Sequence, residues 1–305
     1  MEKILQYHIT ENEKNFTVGQ VLKKRLGLTA KEISRAKFRE DGILVDGVRR
    51  RVDWRVKAGE RLEVRLEKTE EAHAGLEPEE GTLAICYEDE DVIVVDKPSG
   101  ILVHPAGVHY ADTLANRLEA YFRKKGETVT IRPIGRLDKD TAGLVLFAKN
   151  RTAAARLSRQ KETGDFQKLY LAWVEGIPDP PVGSIDVPIR KVSDSPLVMC
   201  AGMGGKAART HYQVVERLGQ TSLVQARIET GRSHQIRVHM AWLGHPLVGD
   251  PLYNPKETPP GQGTGHAALC AWRLWFLQPF TGKPVFLESA GISDFRSQIQ
   301  TFRRH

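Results

Sequence analysis

The stretch Ile134-Gly-Arg-Leu-Asp-Lys-Asp-Thr-Ala-Gly-Leu-Val-Leu-Phe-Ala-Lys-Asn150 sets a polar, charged turn directly against an apolar run. The run from Gly143 to Ala148 is short, rich in β-formers and preceded by the turn-forming Asp138-Lys-Asp-Thr141, so it reads as a buried strand entered from a loop. Arg136, Asp138 and Asp140 then stand at the mouth of a core. Asp commonly accepts backbone N–H bonds in turns, and a carboxylate held at the edge of an apolar core is also placed to react. The pattern alone fits both readings.

Working outward, helices are predicted at Asp112 to Lys125, stopped by Gly126, and at Arg151 to Glu162, stopped by Gly164. Strands are predicted at Lys168 to Val174, His211 to Arg217 and Leu223 to Glu229, and Leu83 to Gly100 reads as two strands around an acidic turn. Strand runs broken by isolated helices indicate an α+β fold with a mixed, largely antiparallel sheet flanked by helices. In Thr230 to Gly244, Ser233 is the expected N-cap of a helix running to Leu243, with Ile236, Met240 and Leu243 on its apolar side. Arg232, His234, Arg237 and His239 crowd the start of that helix. Cations there oppose the helix dipole, so an anion, Asp138 or a phosphate, is expected beside them.

The formal net charge of the 305 residues is +7, and its location is informative. Between Phe16 and Leu66 stand 14 Lys and Arg against 7 Asp and Glu, so this segment carries the whole excess. A basic excess confined to one small module is the footprint of a phosphate-binding surface. Within it, Val18 to Leu26 and Ala30 to Arg39 read as two short helices. Gly42 to Val48 reads as a strand with a tight Asp-Gly turn, and Gly59 to Leu66 as an alternating strand. Residues 67–82 turn acidic and poor in apolar side chains, a linker composition. The organisation expected is a basic module over 1–75, a linker over 76–82 and a larger domain over 83–305.

No stretch approaches the roughly 20 apolar residues of a membrane helix, and the opening MEKILQYHITENEKNF is too polar for a secretory signal. Cys86, Cys200 and Cys270 are odd in number and far apart, which argues against a disulfide framework or a zinc knuckle. A cytoplasmic protein is expected. His234 and His239 are five positions apart, a poor spacing for two ligands on one helical face, and no adjacent Cys or carboxylate completes a metal site.

The segment Arg136-Leu-Asp-x-x-Thr-Ala-Gly-Leu-x-x-x-Ala-Lys149 resembles the signature of the RluA-type pseudouridine synthases. Lys168-Leu-Tyr170 resembles the Lys-x-Tyr that follows the catalytic loop in that family. Gly231-Arg-x-His-Gln-Ile-Arg-x-His239, followed by Gly244-His-Pro-Leu-Val-Gly-Asp250, resembles its third signature. Asp96-Lys-Pro-x-Gly100, Val103-His-Pro105 and Thr113-Leu114 extend the likeness in the same order over residues 83 to about 287. Leu26, Ser34, Lys37 and Gly42-x-Leu-Val-Asp-Gly47 resemble the RNA-binding domain first recognised in ribosomal protein S-four.

The resemblance implies a synthase that isomerises uridine in RNA, ribosomal RNA of the large subunit before transfer RNA, with no cofactor and no metal. It implies Asp138 as the catalytic aspartate, Tyr170 as the ring that packs on the uracil, and Arg237 as the partner of that aspartate. Arg136 would help hold the RNA open after the uridine is flipped. Arg232, His234, Lys168 and His104 join the RNA-binding set, while Lys31, Arg35, Lys37, Arg49, Arg50 and Arg51 would contact phosphates from the basic module. Two departures stand out: Gly135 where many relatives have His, and Ala142 where Ser is common. A monomer is expected. A non-catalytic ribosome-assembly protein on the same fold is the alternative from a different class, and it would have no need of Asp138, Tyr170 and Arg237 together. A small-molecule sugar isomerase would have no use for the basic module.

Overall fold

The structure, a computed structural model, describes residues 3–66, 75–107, 109–192, 195–254, 266–292 and 295. The N-terminal module contains β1 (Lys3–His8), α1 (Val18–Lys24), α2 (Ala30–Lys37), β2 (Ile43–Val45), β3 (Val48–Arg49) and β4 (Arg61–Leu66). Its sheet runs in the order β1-β4-β2-β3, with every pairing antiparallel. Thr17 and Thr29 cap the two helices through reciprocal bonds with Gln20 and Glu32, which satisfies backbone donors that the first turn leaves free. Asp46 and Gly47 both take positive φ, 49° and 77°, the turn geometry that matches the twist of a two-residue hairpin. Val18, Val21, Leu22, Ile33, Leu62 and Val64 close a separate small core.

Residues 67–74 of the segment read as a linker lie outside the described residues. From residue 75 the chain is already part of the larger domain: Leu76 is buried in its main core, and Asn116 Nδ2 donates to the Glu77 carbonyl at 2.7 Å. An acidic composition concealed one apolar anchor.

The larger domain follows as β5 (Ala84–Glu88), β6 (Val92–Lys97), α3 (Leu114–Lys124), β7 (Arg132–Pro133), β8 (Ala142–Ala148), α4 (Arg151–Thr163) and β9 (Gln167–Glu175). It continues with β10 (Val182–Asp186), β11 (Ile189–Val192), β12 (Ser195–Ala201), β13 (Arg209–Leu218), β14 (Thr221–Ile228), α5 (Gln235–Trp242), β15 (Leu269–Leu277) and β16 (Pro284–Glu288). Ten of these strands form one sheet, in the order β10-β13-β14-β9-β15-β8-β6-β5, with β16 on β15 and β7 on β8. The pairing of β8 with β15 is parallel and the others are antiparallel, as the α+β reading expects.

Strand β8 explains the layering. Val145 and Phe147 point into the core shared with Leu118 and Phe122 of α3 and with Ile236 and Met240 of α5. Leu144 and Leu146 point the other way, toward Ala153 and Leu157 of α4. A strand buried on both faces has to be apolar throughout, which is why 143–148 reads as a continuous run and not as an alternation. At its entrance, β8 meets β15 at Gly143, whose φ is 106°, and a Cβ there would lie 2.3 Å from the Ala271 carbonyl oxygen. Only glycine allows that approach, and the approach sets the loop carrying Asp138 against the end of β15.

Candidate active site

The loop before β8 is pinned through its backbone, and that leaves the Asp138 carboxylate available. Lys97, 1% exposed, donates from Nζ to the carbonyls of Pro98, Ile101 and Lys139 at 2.8 to 2.9 Å. The Ser99 hydroxyl donates to the Asp140 carbonyl at 2.6 Å, Gly100 N–H to Lys139 O at 2.9 Å, and Thr141 N–H to Asp138 O at 3.1 Å. Burial pulls the Lys97 ammonium down to about 8, against the charges of Asp140 and Asp138. Gly135, the first departure from the usual signature, has φ 83°. A histidine in its place would be strained in this backbone.

Asp138 is half-buried and lies on the wall of a cleft of about 890 Å³. Among the described residues, none donates a hydrogen bond to its carboxylate. Tyr170 on β9 lies across the cleft, 6% exposed; burial first, and then the charge of Asp138, push its hydroxyl well above the ordinary phenol range. The ring is therefore neutral at any physiological pH. Arg136, Lys161, Arg227 and Arg232 line the same cleft, so its walls favour a polyanion.

The start of α5 differs from the expectation. His234, not Ser233, is the N-cap, with φ 55° and ψ 22°. The cause is Gln235, whose side-chain oxygen accepts from the Thr230 hydroxyl at 2.8 Å and from Arg232 N–H at 3.0 Å, tying the turn together one residue later. His234 Nδ1 lies 2.8 Å from the Tyr253 hydroxyl, and burial holds this imidazole below its ordinary pKa. His239 is buried between Thr210 and the Val187 carbonyl and is likewise lowered by burial, so neither histidine supplies the cation expected from the sequence.

The expected pairing of Arg237 with Asp138 is not what is found. Arg237, 1% exposed, makes a bidentate pair with Asp250, 0% exposed: Nε to Oδ2 at 2.8 Å and Nη2 to Oδ1 at 2.7 Å. Its next carboxylate is Asp140 at 3.9 Å, and Asp140 in turn meets His266 Nδ1 at 3.1 Å. Burial disfavours the guanidinium, but the hydrogen bonds and charge of Asp250 outweigh it, so Arg237 is held above the usual arginine value. Two charges withdrawn from water need a close, doubly bonded partner, and a half-exposed loop carboxylate cannot supply it. Asp138 nevertheless acts on Arg237, His234 and Tyr170 through its field. Asp250 is a site residue the sequence reading missed. Its signal was an acid enclosed by Pro246-Leu-Val-Gly249 and Pro251-Leu252, a setting in which a carboxylate needs a cation.

Two further expectations change. Lys168 lines the cleft, but its ammonium turns inward to the Leu144 carbonyl at 2.9 Å, and burial brings it down to about 7, so it forms floor and is not a phosphate contact. His104 is exposed and is not among the residues lining the cleft. Among the described residues, no cluster of His, Cys, Asp and Glu has the grouping of a metal site.

A family model described as RNA pseudouridylate synthase matches residues 91–242. The uncharacterized RNA pseudouridine synthase YlyB of Bacillus subtilis is 36% identical over 98% of this chain and 99% of its own length. The chain belongs to the RNA pseudouridine synthase family. The ribosomal large subunit pseudouridine synthase D of Nitrosomonas europaea is 32% identical over 99% of the synthase described here and 89% of its own length. A solved structure, human RNA pseudouridylate synthase domain containing 1, superposes with a TM-score of 0.55 at 28% identity, over 69% of the synthase and 85% of the human chain. The family match holds Asp138, Tyr170 and Arg237, and Asp250 lies past its end.

Proposed function

We propose that this synthase converts uridine to pseudouridine in large-subunit ribosomal RNA, with Asp138 as the reacting group. The observation that carries the reading is a carboxylate without a hydrogen-bond partner among the described residues, on the wall of a cleft that also holds a buried neutral tyrosine and a cationic rim. The ribosomal target is supported by the kinship with the large-subunit enzyme of Nitrosomonas europaea.

In the reaction the N1–C1′ bond breaks and a C5–C1′ bond forms, C5 gives up a proton and N1 gains one. No electrons are lost and no water is consumed. Asp138 works on the ribose, as nucleophile or as base. Arg237, held in place by Asp250, feels the charge of Asp138 across the site. The target base first leaves the stack at a cost of about a few kcal/mol. Tyr170 receives the base against its ring, and the exposed Arg136 at the cleft lip takes the vacated place, which offsets part of that cost. The N-terminal module acts as an S-four-like RNA-binding domain, with Lys31, Arg35, Lys37, Arg49, Arg50 and Arg51 contacting phosphate without reading bases. The reading includes a monomeric, cytoplasmic enzyme, and three free cysteines suit such a compartment.

The test is to incubate wild type and Asp138→Asn with cellular RNA and map pseudouridine by carbodiimide-dependent primer extension. New stops are expected in large-subunit ribosomal RNA with wild type only. Identical traces from the two proteins on every RNA defeat the assignment, and stops confined to transfer RNA defeat the target.

A further inference from the structure

Helix α4 stands between the N-terminal module and the cleft. Its last residues, from Lys161, and Gly164 beyond it form part of the cleft wall. Its earlier turns grip the module. Arg159 donates from Nη1 to the Lys23 carbonyl at 3.0 Å and from Nη2 to the Lys24 carbonyl at 3.2 Å. These are carbonyls that the C-terminus of α1 leaves unpaired, and a cation is the partner they favour. The Thr152 hydroxyl donates to Glu32, the capping-box residue of α2.

Arg156, 9% exposed, fills the seam. A Cβ added to Gly27 would lie 3.3 Å from its Cγ, while its guanidinium sits 4.3 Å from the centre of the Phe280 ring and donates to the Pro279 carbonyl at 2.7 Å. Phe280 packs against the cores on both sides of the seam. From β1, Lys3 pairs with the buried Asp91. Three elements of the module are therefore pinned, and most of the pins come from the one helix that also borders the cleft.

We propose that Arg159 and Arg156 are positioning residues: acting through α4, they hold the basic module at a fixed distance and angle from the cleft. RNA anchored on the module then meets Asp138 without a further ordering step. The proposal rests on the RNA-modifying function argued above. A rigid connection keeps the effective concentration of the second contact high, and a loose tether dilutes it.

The experiment uses the full chain and RNA tritiated at uridine C5, with tritium release as the rate. Two substrates are compared: a long structured ribosomal transcript and a short stem-loop around the same uridine that fills only the cleft. For Arg159→Ala, KM on the transcript is expected to rise about 10-fold. Its kcat, and both constants on the stem-loop, should stay at wild-type values, and Arg159→Lys should recover part of the loss. An unchanged ratio of the two KM values overturns the proposal. If Arg159→Ala also loses the stem-loop, Lys3→Met, a pin outside α4, decides by the same ratio. A wild type silent on every RNA overturns the synthase reading, whereas an active wild type indifferent to both substitutions overturns only the positioning role.

Discussion

Arg237 on α5 and Arg49 and Arg51 in the N-terminal module are held in opposite ways. Arg237 is sealed from solvent and doubly bonded to a sealed carboxylate. Arg49 and Arg51 are exposed and have no ion pair among the described residues; Arg49 reaches only the Lys37 carbonyl, at 3.3 Å. A buried cation whose partner comes from the same chain organises a site, and an exposed one that lacks such a partner remains available to an outside anion. The same side chain is thus fixed in one region and left open to an outside anion in the other, and burial decides which.

The largest effect expected from this contrast is that of Asp250→Ala. Removing one member of a buried pair leaves the other charge uncompensated, at a cost of about 3–5 kcal/mol. Denaturant unfolding should register that loss, and turnover should fall with it, because the field on Asp138 changes. Stability within experimental error of wild type would break the contrast.

Next is the double variant R49A/R51A, which should fold as wild type but flatten the slope of log affinity against log salt by about 2. A slope that does not move would mean that these arginines do not meet phosphate.

The smallest effect concerns Lys168, held at about 7 by burial against an ordinary 10.5. Between those values the unfolded chain binds more protons than the folded one, so this group adds stability as pH rises through the window. Lys97, brought down to about 8, acts in the same direction. The melting temperature of Lys168→Met should therefore gain less than wild type between pH 7 and pH 9. An equal gain would place the Lys168 ammonium in solvent.

Much of this was legible in the sequence because it is local. The strand at 142–148, α3 and α4, the Asp-Gly hairpin and the stop at Gly164 follow from propensity, periodicity and glycine alone. A charged turn abutting an apolar strand drew attention to Asp138, but its expected role came from the family resemblance. The partner of Arg237 was not, since the choice among Asp138, Asp140 and Asp250 depends on which carboxylate shares its burial, a property of the assembled core. The fate of Lys168 was hidden for the same reason: a lysine on a strand gives no sign whether its head finds solvent or a backbone carbonyl two strands away. Strands β15 and β16 also went unpredicted, as did β11 and β12, whose hairpin stands apart from the main sheet.

The contact at Gly143 also sets an order of events during synthesis. Strand β8 carries the loop of Asp138, and its parallel partner is β15, with Ala271 against Gly143. The ribosome makes that partner only after α4, the Tyr170 strand and all of α5 have emerged. A nascent chain can therefore finish its basic module early, while the loop of Asp138 still has no wall to stand against. Under the proposed function, a chain truncated before residue 271 is expected to bind RNA without modifying it.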